Sequence, residues 1–180
     1  MNKIVDKEYF SENVVKFEVE APLIAKSRKA GHFVIVRVGE KGERIPLTIA
    51  ASDLNKGTIT IVIQAVGASS KKICELNVGD YITDIVGPLG QATHIENYGT
   101  VICAGGGVGI APMLPIIEAM KRAGNKVISV LAARTKDLVI LEKQVAEYSD
   151  EVIVMTDDGS YGHKGLITNG VEMVINREKV

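Results

Sequence analysis

The residues best suited to chemistry are a cluster of glycines in the second half of the chain, directly after an apolar run at residues 101–104. Glycine lets the backbone turn sharply and approach a ligand closely, and the start of a following helix favours an anion. The cluster ends at a proline, which suits a first helical turn because its missing N–H is not needed there. The pattern predicts a site for nucleotide phosphates at Gly105, Gly106, Gly107, Val108, Gly109, Ala111 and Pro112.

The spacing of these glycines differs from the dinucleotide-binding fingerprint G-x-G-x-x-G. Counting from Gly105, a third glycine would be needed where Ile110 stands. The pattern present is G-x-G-x-x-P, at Gly107, Gly109 and Pro112. A glycine-rich turn between a strand and a helix also suits a tight connection that binds nothing, so both interpretations stay open on this motif alone.

The first half of the chain has the sequence pattern of β-strands, so strands and their turns must position any site residues there. Up to about residue 95, β-branched or alternating runs are separated by glycine-containing turns, a rhythm typical of an antiparallel barrel or sandwich. One short helix is predicted at residues 70–75. The strand-like runs cover residues 14–19, 33–38 and 58–66.

The second half alternates strand-like and helix-like segments from about residue 99. This βαβαβ series predicts a parallel sheet, and ligands of such sheets bind beyond the carboxyl ends of the strands. The predicted strands cover residues 100–104, 126–132 and 151–156, and the predicted helices cover residues 112–123 and 136–148.

The composition is that of an ordinary globular protein. Of 180 residues, 46% are hydrophobic and 24% are charged, and 21 Lys and Arg against 22 Asp and Glu give a net charge of -1. The basic residues are scattered, which argues against a nucleic-acid partner. The amino-terminal segment is charged and has no signal-peptide core, and no run suits a membrane span, so we expect a cytoplasmic chain.

Cysteines and histidines are too few and too dispersed to predict a metal centre. Cys74 and Cys103 are the only cysteines and form no C-x-x-C pair, which excludes a zinc or four-cysteine iron–sulfur site built from this sequence. The three histidines, His32, His94 and His163, lack a second ligand at helical spacing.

Four segments together resemble the ferredoxin–NADP reductase superfamily over the whole chain. They begin at Arg44, Gly87, Gly105 and Thr156 and read RIPLTI, GPLG, GGGVGIAP and TDDGSYG. Within the superfamily, the chain is most similar to the flavin-bearing electron-transfer subunits of NADH-dependent ferredoxin–NADP oxidoreductase (sulfide dehydrogenase) and of dihydroorotate dehydrogenase. The resemblance implies an antiparallel, Greek-key-like FAD barrel at residues 1–97. It also implies an α/β parallel-sheet NAD(P) domain at residues 98–180, incomplete at its C-terminal end.

The resemblance assigns FAD first to the segment of Arg44, Pro46, Leu47 and Thr48. In the superfamily an Arg-x-Tyr-Ser/Thr motif holds FAD, with the hydroxyl residue near flavin N5 and the aromatic residue against the ring. Thr48 stands at the hydroxyl position and is the one side chain expected at the reacting centre, whereas Leu47 replaces the aromatic residue. Arg44 stands one residue further upstream than the common spacing, so its phosphate role has a solvated surface arginine as its alternative.

A second FAD segment in the family is a strand that ends in glycine, followed by a short helix whose start binds the flavin pyrophosphate. The serine hydroxyls and first N–H groups of such a helix can bind phosphate oxygens, and Lys71 and Lys72 would add positive charge. The alternative is a plain serine-capped helix. The residues assigned here are Gln64, Val66, Gly67, Ser69 and Ser70.

The resemblance assigns the pyrophosphate of the nicotinamide cofactor to residues 105–112 and its adenosine end to Arg134, Asp157 and Asp158. An arginine suits a ribose 2′-phosphate, whereas a carboxylate suits a free 2′-hydroxyl. Two adjacent aspartates should repel the extra phosphate, so NADH is favoured over NADPH. The same aspartates also suit a simple turn.

The activity implied is hydride transfer between NAD(P)H and FAD, with electrons passed to a larger partner subunit. Relatives continue past the equivalent of Val180 with a further strand and a cysteine-rich tail that binds a 2Fe–2S cluster. We therefore expect no cluster in this chain, an incomplete nicotinamide pocket, and weak or absent NADH oxidation. The competing class is a non-enzymatic nucleotide-binding or regulatory module with a degenerate flavin site, which Leu47 and the displaced Arg44 favour.

Overall fold

The computed structural model of the protein describes residues 2–180, which divide into two compact units. One unit ends at Thr93 and the other begins at His94. Within the described residues, no helix is long and apolar enough to cross a membrane.

The first unit is built from seven strands and two short helices. Its sheet is antiparallel throughout, in the order β6-β1-β2-β5-β4-β3-β7. The elements are β1 (Asn2–Ser11), β2 (Val14–Glu20), α1 (Pro22–Ser27), β3 (Phe33–Arg37), β4 (Ile45–Asp53), β5 (Thr58–Gln64), α2 (Ala68–Cys74), β6 (Tyr81–Ile82) and β7 (Asp84–Leu89).

The order of the strands explains why this sheet curls. Its two edge strands, β6 and β7, follow one another in the chain with only Thr83 between them. The edges are therefore brought side by side, and the sheet forms a nearly closed barrel, as the turn spacing predicted. Inward-facing side chains of alternate positions fill it, among them Phe17, Ile49 and Ile61, which are almost completely buried.

The second unit is a three-layer arrangement around a four-stranded parallel sheet, which confirms the predicted βαβαβ series. The strands lie in the order β11-β10-β9-β8. Its elements are β8 (Thr100–Gly106), α3 (Ile110–Arg122), β9 (Lys126–Ala133), α4 (Glu142–Glu147), β10 (Glu151–Thr156), β11 (His163–Lys164) and α5 (Ile167–Ile175).

Alternation along β9 assigns the helices to the two faces of the sheet. Ile128 and Val130 pack with Val174 of α5 on one face. Ser129 points to the other face, where its hydroxyl hydrogen-bonds the Ser149 hydroxyl at 2.7 Å, just after α4. The crossover helices and α5 thus cover opposite faces, as the burial of a parallel sheet requires.

The predicted helix at residues 136–148 is wrong in its first half. Residues Lys136–Leu138 form only a 3₁₀ turn, and α4 begins at Glu142. Leu141 has a left-handed φ of 58°, and the preceding Ile140 is buried. The burial of Ile140 outweighed helix propensity here, and local periodicity does not reveal such a tertiary effect. The sequence interpretation also did not place α1 or α5.

Candidate functional site

The barrel has an opening where β4 and β5 separate. These strands pair from Asp53 and Thr58 up to the Ile49–Ile61 pair, and the pairing ends there. Beyond that point β4 pairs only with β3, through residues 45–48, and β5 pairs only with β2, as far as Gln64. The predicted flavin residues lie along the two sides of this split, which we call the β4/β5 opening.

On the β4 side, Thr48 and Leu47 point to opposite faces of the strand. Leu47 packs against the barrel core together with Ile45, whereas Thr48 is half-buried on the other face. The Thr48 hydroxyl makes no hydrogen bond with any residue from 2 to 180. A half-buried hydroxyl without a protein partner is available to a ligand. Pro46 is exposed on this stretch, which pairs with β3 through Ile35 and has no partner strand on its β5 side.

Arg44 is held by a carboxylate outside the opening. Its guanidinium lies 3.3 Å from Asp84 Oδ2, and the same carboxylate also forms an ion pair with Arg37. Arg44 nevertheless keeps a largely exposed side chain, so the contact is a weak surface pair. In this structure Arg44 is a largely exposed surface arginine paired with Asp84.

On the β5 side, the start of α2 uses both serine hydroxyls internally. Ser70 Oγ accepts from the Gly67 N–H at 2.9 Å and the Val66 N–H at 3.1 Å. Ser69 Oγ donates to Glu43 Oε2 at 2.5 Å, which joins α2 to the segment before β4. The serine-capped alternative is therefore present, and the backbone N–H groups of the first turn, rather than the hydroxyls, are the groups left for a phosphate.

The β5 side fits a pyrophosphate in its backbone and its charge. Gly67 is extended, with φ −118° and ψ 175°, and a Cβ built on it would meet no atom within 4 Å. The bare backbone therefore stays open to a ligand. Lys71 and Lys72 are exposed on the same short helix and add two positive charges.

The glycine cluster of the second unit combines close packing with open space. At Gly105 a Cβ would lie 3.1 Å from Gly109 O and 3.2 Å from Met113 Cγ, so this glycine lets β8 approach α3. At Gly107 and Gly109, by contrast, a Cβ would meet nothing within 4 Å. These two positions leave a bare backbone surface at the start of α3, and that surface fits a phosphate group.

Arg134 and the two aspartates lie on adjoining loops, as expected for neighbouring parallel strands. Asp157 N–H donates to Ala133 O at 3.1 Å, and Asp158 N–H donates to Arg134 O at 3.3 Å. The register pairs Gly106 with Ala132, and Ala132 with Met155 on the next strand. The glycine cluster, Arg134 and the aspartates therefore leave the same edge of the sheet.

The two aspartates differ in their contacts. Asp158 Oδ1 accepts from the Ser160 hydroxyl at 2.6 Å and from the Ser160 N–H at 2.9 Å, and these bonds hold the pKa of the Asp158 carboxyl below its usual value. The exposed Asp157 carboxylate has no hydrogen bond or ion pair with the described residues. Asp158 thus shapes the turn, and Asp157 remains open to a ligand.

Several residues that shape these sites were missed by the sequence interpretation. Glu43 ties α2 to the start of β4. Ser160 Oγ accepts from the Lys136 N–H at 2.9 Å and so joins the two loops, while the Tyr161 hydroxyl donates to Glu142 at 2.9 Å, which raises the tyrosine pKa. These partners are 19 to 26 residues apart, and no spacing rule connects them.

The sequence model of the oxidoreductase FAD-binding domain family matches residues 2–94. The chain belongs to this family. The match ends within one residue of Thr93, where the barrel unit ends, so the family assignment rests on the barrel and the β4/β5 opening.

The similarity of this chain to known proteins extends over both units. The chain is 44% identical over 179 residues to the dihydroorotate dehydrogenase B (NAD(+)) electron transfer subunit homolog of Thermotoga maritima, covering 99% of this chain and 63% of that protein. It is 31% identical over 179 residues to the dihydroorotate dehydrogenase B (NAD(+)) electron transfer subunit of Streptococcus pneumoniae, covering 97% and 69%.

A solved structure of an NADH-dependent reduced ferredoxin-NADP oxidoreductase, described for flavin-based electron bifurcation, matches with a TM-score of 0.93. The identity is 42%, and the match covers 99% of this chain and 64% of that chain. These similarities confirm the resemblance to flavin-bearing electron-transfer subunits. This chain spans slightly less than two thirds of the length of the Thermotoga maritima protein and of the NADH-dependent reduced ferredoxin-NADP oxidoreductase chain.

Proposed function

We propose that this chain is part of an FAD-dependent electron-transfer subunit that passes a hydride between NAD(P)H and FAD and electrons on to a larger partner subunit. The observation that carries the proposal is the β4/β5 opening, which lies inside the segment matched to the FAD-binding family. The unpartnered hydroxyl of Thr48 stands on one side of it and the start of α2 on the other.

The chain's own residues would position the cofactor and supply no acid or base. The first N–H groups of α2 and the charges of Lys71 and Lys72 would bind the flavin pyrophosphate. Thr48 would hydrogen-bond the reactive part of the ring and tune it. Bound FAD would supply the hydride and electron chemistry.

For the nicotinamide cofactor, we assign the pyrophosphate to the surface of Gly107 and Gly109 and the adenosine ribose to the loops of Arg134 and Asp157. The free carboxylate of Asp157 would accept from a ribose 2′-hydroxyl and repel a 2′-phosphate, which favours NADH. Arg134 is exposed on the same edge and weakens that preference.

The proposed assembly with a larger partner subunit is based on the names of the relatives. The Thermotoga maritima and Streptococcus pneumoniae proteins are named as electron transfer subunits, and this name supports a partner that donates or receives the electrons. We propose no iron–sulfur cluster on this chain, because its sequence holds two cysteines and a four-cysteine cluster needs twice that number.

A second candidate is a binding or regulatory module that uses the nucleotide site without flavin chemistry. Two contacts favour it: the ion pair of Arg44 with Asp84, and the use of the Ser70 hydroxyl as a helix cap. Both withdraw groups from a flavin phosphate.

The visible absorption spectrum of the purified chain separates the two functions. We expect flavin bands after purification or after reconstitution with FAD, about one FAD per chain, and no stoichiometric iron. Anaerobic NADH, then NADPH, would bleach those bands if each nucleotide reaches the flavin, with NADH the faster. A colourless chain that cannot be reconstituted with FAD would contradict the proposal and support the binding module.

A further inference from the structure

Phe33, the first residue of β3, lies directly opposite Thr48 of β4 in the antiparallel register. The next pair in the register is Val34 with Leu47, and these two side chains belong to the barrel core and its packed margin. Opposite residues of an antiparallel pair share a face, and successive residues alternate between faces. Phe33 and Thr48 therefore share the face that points away from the core, which we call the outer face, with Cβ atoms about 5 Å apart.

The phenyl ring of Phe33 rests on bare backbone at Gly90, directly after β7. A Cβ built on Gly90 would lie 2.9 Å from Phe33 Cε1 and 3.0 Å from Phe33 Cδ1, too close for a side chain. Gly90 also has a φ of +85°, a conformation that favours glycine. This contact limits the rotation of the ring, and Phe33 is nevertheless only half-buried.

A held phenyl ring beside a free hydroxyl offers two kinds of contact to one ligand. The Thr48 hydroxyl has no hydrogen bond with the described residues, so it can bind the polar edge of a ligand. A phenyl ring contacts a second aromatic ring in an offset-stacked or edge-to-face arrangement, with ring centres about 4.5–7 Å apart. The isoalloxazine ring of FAD combines a flat aromatic body with a polar edge, and it therefore fits both groups at once.

We propose that Phe33 is a cofactor-binding residue whose ring contacts the isoalloxazine ring of FAD on the outer face, beside Thr48. The inference rests on the proposed FAD site and adds to it a residue from β3. Phe33, Thr48 and Gly90 all lie inside the segment that matches the FAD-binding domain family. Because the contact is made to the ring, it should change the spectroscopic properties of bound FAD as well as its affinity.

The experiment uses Phe33→Leu, which removes the aromatic ring, and Phe33→Tyr, which keeps it and adds an electron-donating phenol. Phe10→Leu and Phe10→Tyr are the matched controls. Phe10 is also half-buried, and it lies on β1, which β2 and β5 separate from β4 in the sheet. Two quantities are measured for each full chain: the FAD dissociation constant and the fluorescence lifetime of bound FAD. The sequence contains no tryptophan, which would itself quench flavin fluorescence.

We expect Phe33→Leu to weaken FAD binding about fivefold, the size expected of one lost aromatic pair. Phe33→Tyr should bind FAD within about threefold of wild type, because it keeps the ring. It should also shorten the fluorescence lifetime of bound FAD, since a phenol in contact with an excited flavin donates an electron to it. Both Phe10 variants should match the wild type in affinity and lifetime. If Phe33→Leu fails to fold, Phe33→Tyr carries the test.

The fluorescence lifetime decides between a cofactor contact and a merely structural role of Phe33. If the wild-type chain does not bind FAD, the proposed function fails, and this role of Phe33 fails with it. If the wild type binds FAD and Phe33→Tyr leaves the lifetime unchanged, only the contact with Phe33 is overturned, even where Phe33→Leu weakens binding. An equal shortening of the lifetime in Phe10→Tyr also overturns it, because quenching would then not require a tyrosine beside Thr48.

Discussion

At the residue scale, substitution of Thr48 tests a proposed chemical role without removing a structural contact. Its hydroxyl has no partner among the described residues, so Thr48→Val removes no internal hydrogen bond and keeps the shape. We expect full FAD content and an about fivefold slower reduction of the flavin by NADH, because a lost hydrogen bond contributes about 1 kcal/mol. Stopped-flow absorbance measures the rate.

The matched control for Thr48 is Thr60→Val. Thr60 is also half-buried in the barrel, in the paired part of β5, and its hydroxyl likewise makes no hydrogen bond with the described residues. Its reduction rate should equal that of the wild type. An unchanged rate in Thr48→Val at full FAD content would remove Thr48 from the mechanism.

The neighbouring aspartates allow a test of nucleotide choice at single-residue resolution. Asp157→Asn removes a free negative charge beside the proposed ribose site, so we expect the preference for NADH over NADPH to fall about fivefold, since an exposed charge contributes about 1 kcal/mol. Asp158→Asn is the control, because that carboxylate is engaged by Ser160 and should mainly affect the turn. Dissociation constants for both nucleotides provide the measurement. Equal effects of the two substitutions would mean that the loop's total charge, and not Asp157, sets the preference.

Residue types and spacing placed the candidate residues in the right segments but could not assign their partners. The sequence offered two possibilities for Ser70, a phosphate ligand or a cap, and only the fold shows its hydroxyl bound to the Gly67 N–H. It also could not show that Glu43 binds Ser69, or that Arg44 lies beside Asp84 on a different strand. Such contacts depend on strand register, which motifs within one segment do not encode.

At the scale of elements, the two glycines of the turn from β8 into α3 allow the effect of backbone strain to be tested apart from the effect of blocking a ligand. Gly107 has a φ of +54° and open space around it, whereas Gly109 has an ordinary φ of −65° and is equally open. Gly109→Val should therefore weaken NADH binding about tenfold or more with little loss of stability, because the side chain would occupy the phosphate surface. Fluorescence titration with NADH, together with thermal unfolding, measures both effects.

Gly107→Val and Gly99→Val complete that comparison. Gly99 has a φ of +95° and open space, but it precedes β8 at the opposite end of the strand. Both variants should lose about 1–2 kcal/mol of stability through left-handed backbone strain, and only Gly107→Val should also weaken NADH binding. If Gly109→Val leaves NADH affinity unchanged, the glycine cluster is a tight connection and not a phosphate site.

The positions of strands and helices were predictable from sequence where a regular hydrophobic pattern matched a single buried face of the element. The parallel strands β8, β9 and β10 satisfy that condition, and their predicted positions were confirmed within about two residues. The β4/β5 opening does not satisfy it. It arises because β4 and β5 pair between Ile49 and Asp53 and diverge beyond Ile49, and the composition of neither strand encodes where the pairing ends.

At the scale of the whole molecule, each of the two units carries its own proposed site. The flavin residues lie between Arg44 and Ser70 in the unit that ends at Thr93, and the nicotinamide residues lie beyond Gly105 in the unit that begins at His94. Each ligand should therefore slow amide hydrogen exchange in one unit only. FAD alone should protect residues 44–48 and 64–72, and NADH alone should protect residues 105–112, 134–136 and 157–160.

This pattern tests the assignment of both sites without requiring any turnover, so it holds even if the chain oxidises NADH poorly. The control segments are β1 and α5, which carry none of the residues assigned to either ligand and should exchange equally in all states. Protection of residues 105–112 by FAD alone would mean that the two sites are assigned the wrong way round. Protection by NADH with none by FAD would leave a nucleotide-binding module, because only the second unit would then hold a functional site.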